Sequence, residues 1–187
     1  MGASAWGVYA YIASAPDRAL SHQTEGIRLL GLSDFPGAAA QFTKAIDISP
    51  ELADAYVGRG RARTAAGQSE AAVADFAKAI ALDPTLELAY TSRGMLWRSR
   101  GDLPKAVADF TQSLHIHPTA DAYYQRGLIY QTLRQAQRAV DDYNLAIERN
   151  PGAPHAYLAR AEAKQDLGDL AGAQKDRETA ERLEKTQ

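Results

Sequence analysis

Evenly spaced glycines and prolines most constrain how this chain of 187 residues can fold. In each series the residues are separated by 34, 34 and 33 positions. The members are Gly26, Gly60, Gly94 and Gly127, and Pro50, Pro84, Pro118 and Pro151. Because both series lose one residue in the same interval, the deletion lies between Pro118 and Gly127. A fixed period of this length is typical of tandem repeats, in which each unit covers the apolar face of its neighbour.

Aromatic and small residues follow the same register. The aromatic series is Phe42, Phe76, Phe110 and Tyr143, and the small series is Ala45, Ala79, Ser113, Ala146 and Ala180. An Ala-Tyr-x-x-Arg-small motif also recurs, as in "AYVGRG" and "AYTSRG". We therefore expect the recurring residues to form the packed interior.

Each repeat is predicted to contain two helices. In the second unit the first helix covers residues 53–66 and the second covers 70–82, because apolar and small residues recur at helical spacing in both. Gly67 interrupts the pattern where a left-handed helix end is expected. Pro84 stops the second helix, since the residue before a proline disfavours the helical region. The sequence therefore predicts an all-α protein.

The repeated pattern resembles that of the tetratricopeptide repeat (TPR) family. In the unit 53–86 the positions of the family motif are Tyr56, Arg59-Gly60, Arg63, Ala72, Phe76, Ala79 and Pro84. The resemblance covers residues 19–187 as five units, namely 19–52, 53–86, 87–119, 120–153 and 154–187. It implies a right-handed α-α superhelix, or solenoid, of helix-turn-helix units. The first and last units depart from the motif with polar substitutions, as terminal caps require.

The apolar N-terminal segment, residues 1–18, is predicted to contain a helix from about Ser4 to Ala15. This helix is either a cap or the remnant of a preceding repeat. Ala13-Ser14-Ala15 resembles a signal-peptide cleavage site, but no basic residue precedes it. A truncated membrane anchor is the alternative, and contact with a membrane is expected only in that case. The compartment stays open, with the cytoplasm favoured over the periplasm or a membrane tether.

Composition and motifs argue against several functions. The net charge is −2, so no basic field favours nucleic acid as a partner. The chain has no cysteine, which excludes a thiol nucleophile, a disulfide and a cysteine zinc site. It has no catalytic or nucleotide-binding signature, and His115 and His117 lack a third ligand at metal-motif spacing. We therefore expect no catalytic activity, no cofactor and no metal.

Four arginines each precede an aspartate by 16 residues, which predicts ion pairs between the two helices of a unit. The pairs are Arg59 with Asp75, Arg93 with Asp109, Arg126 with Asp142, and Arg160 with Asp176.

The TPR resemblance also implies where a ligand would bind, because the first helix of each unit lines the concave groove in that family. The groove positions that it implies do not follow the repeat. They are Gln23, Ile27 and Leu30 in the first unit, and then Val57, Arg61, Thr64, Thr91, Met95, Arg98, Tyr124, Leu128, Gln131, Leu158, Glu162 and Gln165. This mixture suits a peptide with hydrophobic anchors and at least one carboxylate.

The predicted function is therefore that of a protein-protein interaction scaffold that binds a peptide segment of a partner in its groove. A wetted groove without a specific ligand is one alternative. Another is self-assembly as a homo-oligomer through residues 1–16, which contain Trp6, Tyr9, Tyr11 and Ile12. The last is an assembly factor anchored to a membrane by a segment that precedes these residues.

Overall fold

The computed structural model describes residues 15–185, which form ten α-helices and contain no strand. The helices are α1 (Ala15–Gly31), α2 (Phe35–Ile48), α3 (Ala53–Ala65), α4 (Ser69–Leu82), α5 (Glu87–Ser99), α6 (Leu103–Ile116), α7 (Ala120–Thr132), α8 (Ala136–Arg149), α9 (Pro154–Asp166) and α10 (Leu170–Glu184). Odd-numbered helices are the first helices of the repeats and even-numbered helices the second. The observed bounds of α3 and α4 lie within one residue of the predicted ones.

The N-terminal end of the array differs in detail from the predicted boundary. The helix α1 begins at Ala15, four residues before the predicted start of the first unit. Pro16 therefore lies in its first turn, where a missing backbone N–H leaves no hydrogen bond unmade. The predicted helix from Ser4 lies outside the described residues except at Ala15.

The turns inside the repeats use two local devices. Gly67, Gly101 and Gly168 have φ values of +76°, +78° and +82°, the left-handed conformation that favours glycine. Asp34 and Asp169 cap the helices that follow, each accepting a hydrogen bond from a glycine N–H three residues ahead, at 3.0 and 2.9 Å. These turns place the two helices of a repeat side by side.

The chain divides into two compact units, residues 1–96 and 97–187. In the first unit a single apolar cluster runs through α2, α3 and α4, with Phe42 and Phe76 at its centre. Both rings are buried, with exposed fractions of 0 and 1 %. In the second unit one cluster surrounds Phe110 and Ile129, and another surrounds Tyr143.

Glycines allow the first and second helices of a repeat to approach closely. A Cβ atom at Gly60 would lie 2.6 Å from Cε1 of Phe76, and one at Gly127 would lie 2.6 Å from Cε1 of Tyr143. Both distances are shorter than normal carbon–carbon contacts. The recurring glycines and aromatic residues are therefore complementary parts of one contact, repeated along the chain.

None of the helices between residues 15 and 185 is both long and apolar enough to cross a membrane.

Candidate functional site

Recurring ion pairs fasten the first helix of a repeat to the second. Asp75 is buried and accepts hydrogen bonds from Nη2 of Arg59, at 2.8 Å, and from Nη1 of Arg63, at 2.7 Å. Arg126 binds Asp142 through Nε and Nη2, at 2.8 and 2.7 Å. The two parallel hydrogen bonds fix the angle of the guanidinium plane as well as its distance.

The last repeat contains the same pair with a lysine added. Arg160 donates from Nε and Nη2 to Asp176, at 2.8 and 2.6 Å, and Nζ of Lys164 lies 2.9 Å from the same carboxylate. Burial raises the pKa of Asp176, but the hydrogen bonds from the two cations outweigh that effect and lower it below its ordinary value. Three of the four predicted ion pairs are thus confirmed. The pair of Arg93 with Asp109 stays a prediction.

The remaining guanidinium nitrogen of each arginine contacts the preceding repeat, which the sequence analysis did not predict. Nη1 of Arg59 donates to Thr43 at 3.3 Å, and Nη1 of Arg126 donates to Thr111 at 3.0 Å. Nη1 of Arg160, in the last repeat, donates to Oδ1 of Asn144 in the repeat before it, at 2.8 Å. Each of these arginines therefore joins three helices, and its hydrogen-bonding capacity is used within the scaffold. These three arginines are therefore not free to receive an anionic ligand.

A cavity of about 490 Å³ opens between α1 and α3 in the first unit, and we refer to it as the α1–α3 cavity. Its volume lies in the range of roughly 300–1,000 Å³ that is typical of ligand sites. The lining residues include Gln23, Ile27, Leu30, Phe42, Asp54, Val57, Gly58, Arg61 and Leu88. Predicted groove residues of the first and second repeats therefore line the same cavity.

The lining of the α1–α3 cavity is apolar in the middle and exposed at its edges. Ile27 and Leu88 have exposed fractions of 57 and 40 %, which is high for large apolar side chains. Val57 is 1 % exposed and forms part of the floor, because it packs into the cluster around Phe42 and Phe76. Gly58 also lines the cavity but is itself buried, and the ring of Phe42 packs directly against it, since a Cβ atom there would lie 2.3 Å from that ring.

Arg61 differs from the recurring arginines. It is exposed, lines the α1–α3 cavity, and has neither a hydrogen bond nor an ion pair with any residue between 15 and 185. Arg59, two residues earlier on the same helix, is bound to Asp75. One turn of α3 thus carries one arginine that holds the fold and one that is free to meet a ligand.

Three other predicted groove residues of the first unit have different surroundings. Thr64 donates its hydroxyl hydrogen to the carbonyl of Gly60 at 2.9 Å, and Thr91 donates to the carbonyl of Glu87 at 3.1 Å. Both hydroxyl groups are thus used within their own helices. Met95 is 45 % exposed.

In the second unit the predicted residues form two hydrogen-bonded chains. Arg98 donates to Oε1 of Gln125, which in turn donates from Nε2 to Asp121 at 3.2 Å. The hydroxyl of Tyr143 donates to Oε1 of Gln131 at 2.8 Å, and Nε2 of Gln131 donates to Glu162 at 3.0 Å. The polar groups of this surface are therefore largely satisfied by one another.

A cleft of about 790 Å³ lies on this surface and is lined in part by Arg98, Leu128, Gln131 and Glu162. Leu158 is 39 % exposed on α9. The last predicted residue, Gln165, accepts a hydrogen bond from Arg177.

Tyr124 is half-buried and contacts two other rings. His155 meets it edge-on, with 4.7 Å between ring centroids, and Tyr143 is tilted against it at 5.9 Å. Burial raises the pKa of the Tyr124 hydroxyl, and burial raises that of Tyr143 further. Both hydroxyl groups therefore stay protonated at neutral pH.

Asp54 is a charged residue of the cavity that is not among the predicted groove positions. It lies on the same face of α3 as Val57 and Arg61, three and seven residues before them. This helical spacing was a signal that could have identified it. Gln125, which accepts a hydrogen bond from Arg98 in the second unit, had no comparable signal.

Two family models described as Tetratricopeptide repeat match the sequence, one over residues 24–87 and the other over residues 120–152. Together these segments make up more than half of the chain. The chain belongs to the tetratricopeptide repeat family. Its all-α, helical-repeat fold class is confirmed, and the chain is accordingly a protein-protein interaction scaffold. No curated protein matches the sequence.

Solved structures of TPR proteins share the fold. A structure of MamA residues 41 to the end from Desulfovibrio magneticus RS-1 has a TM-score of 0.82 and 19 % identity, covering 93 % of this chain and 99 % of that one. Another MamA crystal structure has a TM-score of 0.79 and 24 % identity, covering 86 and 95 %. YrrB, described as a TPR protein with an unusual peptide-binding site, has a TM-score of 0.74 and 16 % identity, covering 97 and 93 %. At these identities the likeness concerns the fold.

Proposed function

We propose that this scaffold is non-catalytic and binds a peptide segment of a partner protein on the faces of its first helices. The observation that carries the proposal is the contrast between recurring and non-recurring side chains. The recurring arginines and aromatic residues are buried or bonded to one another. Non-recurring residues, with Ile27 and Arg61 as the clearest cases, face solvent beside a cavity.

The physical basis is that binding costs little where the receiving surface is already ordered. The α1–α3 cavity is built on two helices whose packing does not depend on a ligand. Exposed apolar side chains in a concave site contribute favourably to the binding free energy when a ligand covers them, and a neighbouring unpaired charge orients that ligand. YrrB offers a precedent for peptide binding by a protein of this fold.

The test begins with selection of peptides from a displayed random dodecapeptide library on the immobilised chain. Each selected peptide is then labelled, and its dissociation constant is measured by fluorescence anisotropy. The variants are Arg61→Glu in the first unit, Tyr124→Ala in the second, and their combination. Lys78→Glu, an exposed change on α4 away from the cavity, is the control.

We expect every selected peptide to bind at least fivefold more weakly to one of the two single variants, while Lys78→Glu binds like the parent. Circular dichroism should show unchanged helix content in all four proteins. If the combined variant binds every selected peptide with the parent affinity, the first-helix faces are not the site.

Self-assembly through residues 1–16 stays the competing hypothesis, and all but two of those residues lie outside the described range. Sedimentation velocity of the chain with and without residues 1–14 distinguishes the two. A change from oligomer to monomer on removal supports self-assembly.

A further inference from the structure

We propose that the α1–α3 cavity selects an extended peptide that carries a basic and an acidic residue about three positions apart, with an apolar residue between them. The inference rests on the proposed function and names the chemistry of the partner that this cavity would accept. Its basis is the juxtaposition of Asp54, the apolar wall and Arg61 along one face of α3.

The charges at the two ends of the cavity have opposite sign, and neither faces a counter-ion among residues 15–185. Asp54 and Arg61 are both exposed, and neither has a hydrogen bond or an ion pair with a residue in the range 15–185. They are also too far apart in sequence to pair along the helix, since only residues three or four apart are neighbours on a helix surface. Each charge is therefore available to a group on a ligand.

The spacing of the charges sets the length of the ligand segment. Asp54 and Arg61 are seven residues apart on α3, and at 1.5 Å per residue their Cα atoms are separated by about 10 Å along the helix axis. A peptide in the extended polyproline II conformation advances by about 3.1 Å per residue and has three residues per turn, so residues three positions apart lie on the same side. Three residues of such a peptide cover the same length.

Between the two charges the cavity is apolar. Val57 and Gly58 form its floor, and Ile27 and Leu88 stand exposed on its walls. The ring of Phe42 packs against the backbone of Gly58 beneath this floor. A side chain such as leucine fits the chemistry of this middle part, and a charged side chain would lose its hydration without gaining a partner.

The surface of the second unit does not present the same arrangement. Its Arg98, Gln125 and Asp121 are joined in one chain of hydrogen bonds, and Gln131 is bonded to Glu162. A ligand would have to break these bonds before using those groups. We therefore expect the α1–α3 cavity, and not the surface of the second unit, to select a peptide by its charges.

The probes are four capped hexapeptides of the form Gly-X-Leu-Ser-Z-Gly, in which X and Z are Lys and Glu, Glu and Lys, Lys and Lys, or Glu and Glu. Binding is followed by titrating ¹⁵N-labelled full chain and recording the backbone amide signals of Gly31 and Gly58, which line the cavity. The variants are Arg61→Glu, which leaves two acidic residues, and Asp54→Lys, which leaves two basic residues.

Exposed charge changes with the same effect on net charge serve as matched controls. Lys78→Glu lies on α4 and Asp47→Lys on α2, and neither residue lines the cavity. Circular dichroism of each variant establishes that the helices are intact before binding is compared.

We expect the parent to bind both mixed-charge peptides roughly two- to fivefold more tightly than either like-charge peptide, as for a solvent-exposed ion pair. Arg61→Glu should change the preference to the Lys and Lys peptide, and Asp54→Lys to the Glu and Glu peptide. Both controls should keep the preference of the parent.

Two results would overturn the inference, and they differ in what they imply for the proposed function. If all four peptides shift the cavity amides equally in every variant, the cavity binds peptides without reading their charge, and the proposed function survives. If no peptide shifts the amides of Gly31 or Gly58, this cavity does not take such a segment. The display experiment then decides separately whether the chain binds peptides at all.

Discussion

Replacing Gly60 with alanine tests whether the recurring glycines are required for close helix packing. The added Cβ would lie 2.6 Å from Cε1, 2.9 Å from Cδ1 and 3.0 Å from Cζ of Phe76. The ring is 1 % exposed and has no space into which it can turn without displacing its neighbours. Overpacking of this kind costs about 1–3 kcal/mol.

A second effect opposes this cost, and Gly31 provides the control for it. Alanine is favoured over glycine in a helix by about 1 kcal/mol, so Gly60→Ala should lower the free energy of unfolding by roughly 0–2 kcal/mol in total. Gly31 also lies in a helix, but a Cβ atom there would meet nothing within 4 Å. Gly31→Ala should therefore be neutral or stabilising by up to about 1 kcal/mol.

The assay is urea unfolding of the two variants followed by circular dichroism at 222 nm. Because the helix-propensity gain is common to both, their difference reports the packing cost. With a urea dependence of about 2 kcal/mol per molar, the midpoint of Gly60→Ala should lie about 0.5–1.5 M below that of Gly31→Ala. In a Phe76→Leu background the difference should shrink, because the ring edge that clashes is gone. Equal midpoints for Gly60→Ala and Gly31→Ala in the parent background would refute the reasoning.

Three further predictions concern the charged and hydrogen-bonded residues. Asp142→Ala should lower the free energy of unfolding by about 3 kcal/mol, because Arg126 loses the carboxylate that it binds in the interior. In the same urea titration the exposed neighbouring change Asp141→Ala should lower that free energy by less than about 0.5 kcal/mol. The pKa of Asp176 is lowered from 3.8 by folding, so its contribution to stability is complete above that pH and is lost as the pH falls through the folded value. Thermal unfolding midpoints between pH 5 and about pH 2 should consequently fall less steeply in Asp176→Asn than in the parent, and parallel curves would contradict this. Tyr143→Phe should cost about 1 kcal/mol by removing the hydrogen bond to Gln131, and a midpoint equal to that of the parent would show that the bond adds nothing.

The parts of the fold that repeat could be predicted from the sequence. Gly67 and Pro84 mark where helices end, and each helix of that repeat is predicted within one residue because backbone restrictions act locally. The pair of Arg59 with Asp75 was predictable for a related reason: the same spacing recurs along the chain, and the same pairing is found in three repeats.

The parts that depend on neighbouring side chains could not be predicted. Val57 lies at an expected groove position and is nevertheless 1 % exposed, because it packs into the cluster around Phe42. Burial of this kind depends on the sizes of side chains on other helices. The contact of Arg59 with Thr43 of the preceding repeat was missed because acceptors at this position vary, and the acceptor for Arg160 is Asn144 in place of a threonine.

The central claim is that recurring residues hold the fold while non-recurring residues beside them are free to recognise a partner. Arg59 and Arg61 allow a direct test, since they are two residues apart on α3 and only the first is bound to Asp75. The measurement is the urea unfolding midpoint of Arg59→Ala compared with that of Arg61→Ala. The account predicts a clear loss of stability for Arg59→Ala, and for Arg61→Ala a midpoint that corresponds to the parent within about 0.5 kcal/mol. Equal losses for the two variants would contradict it.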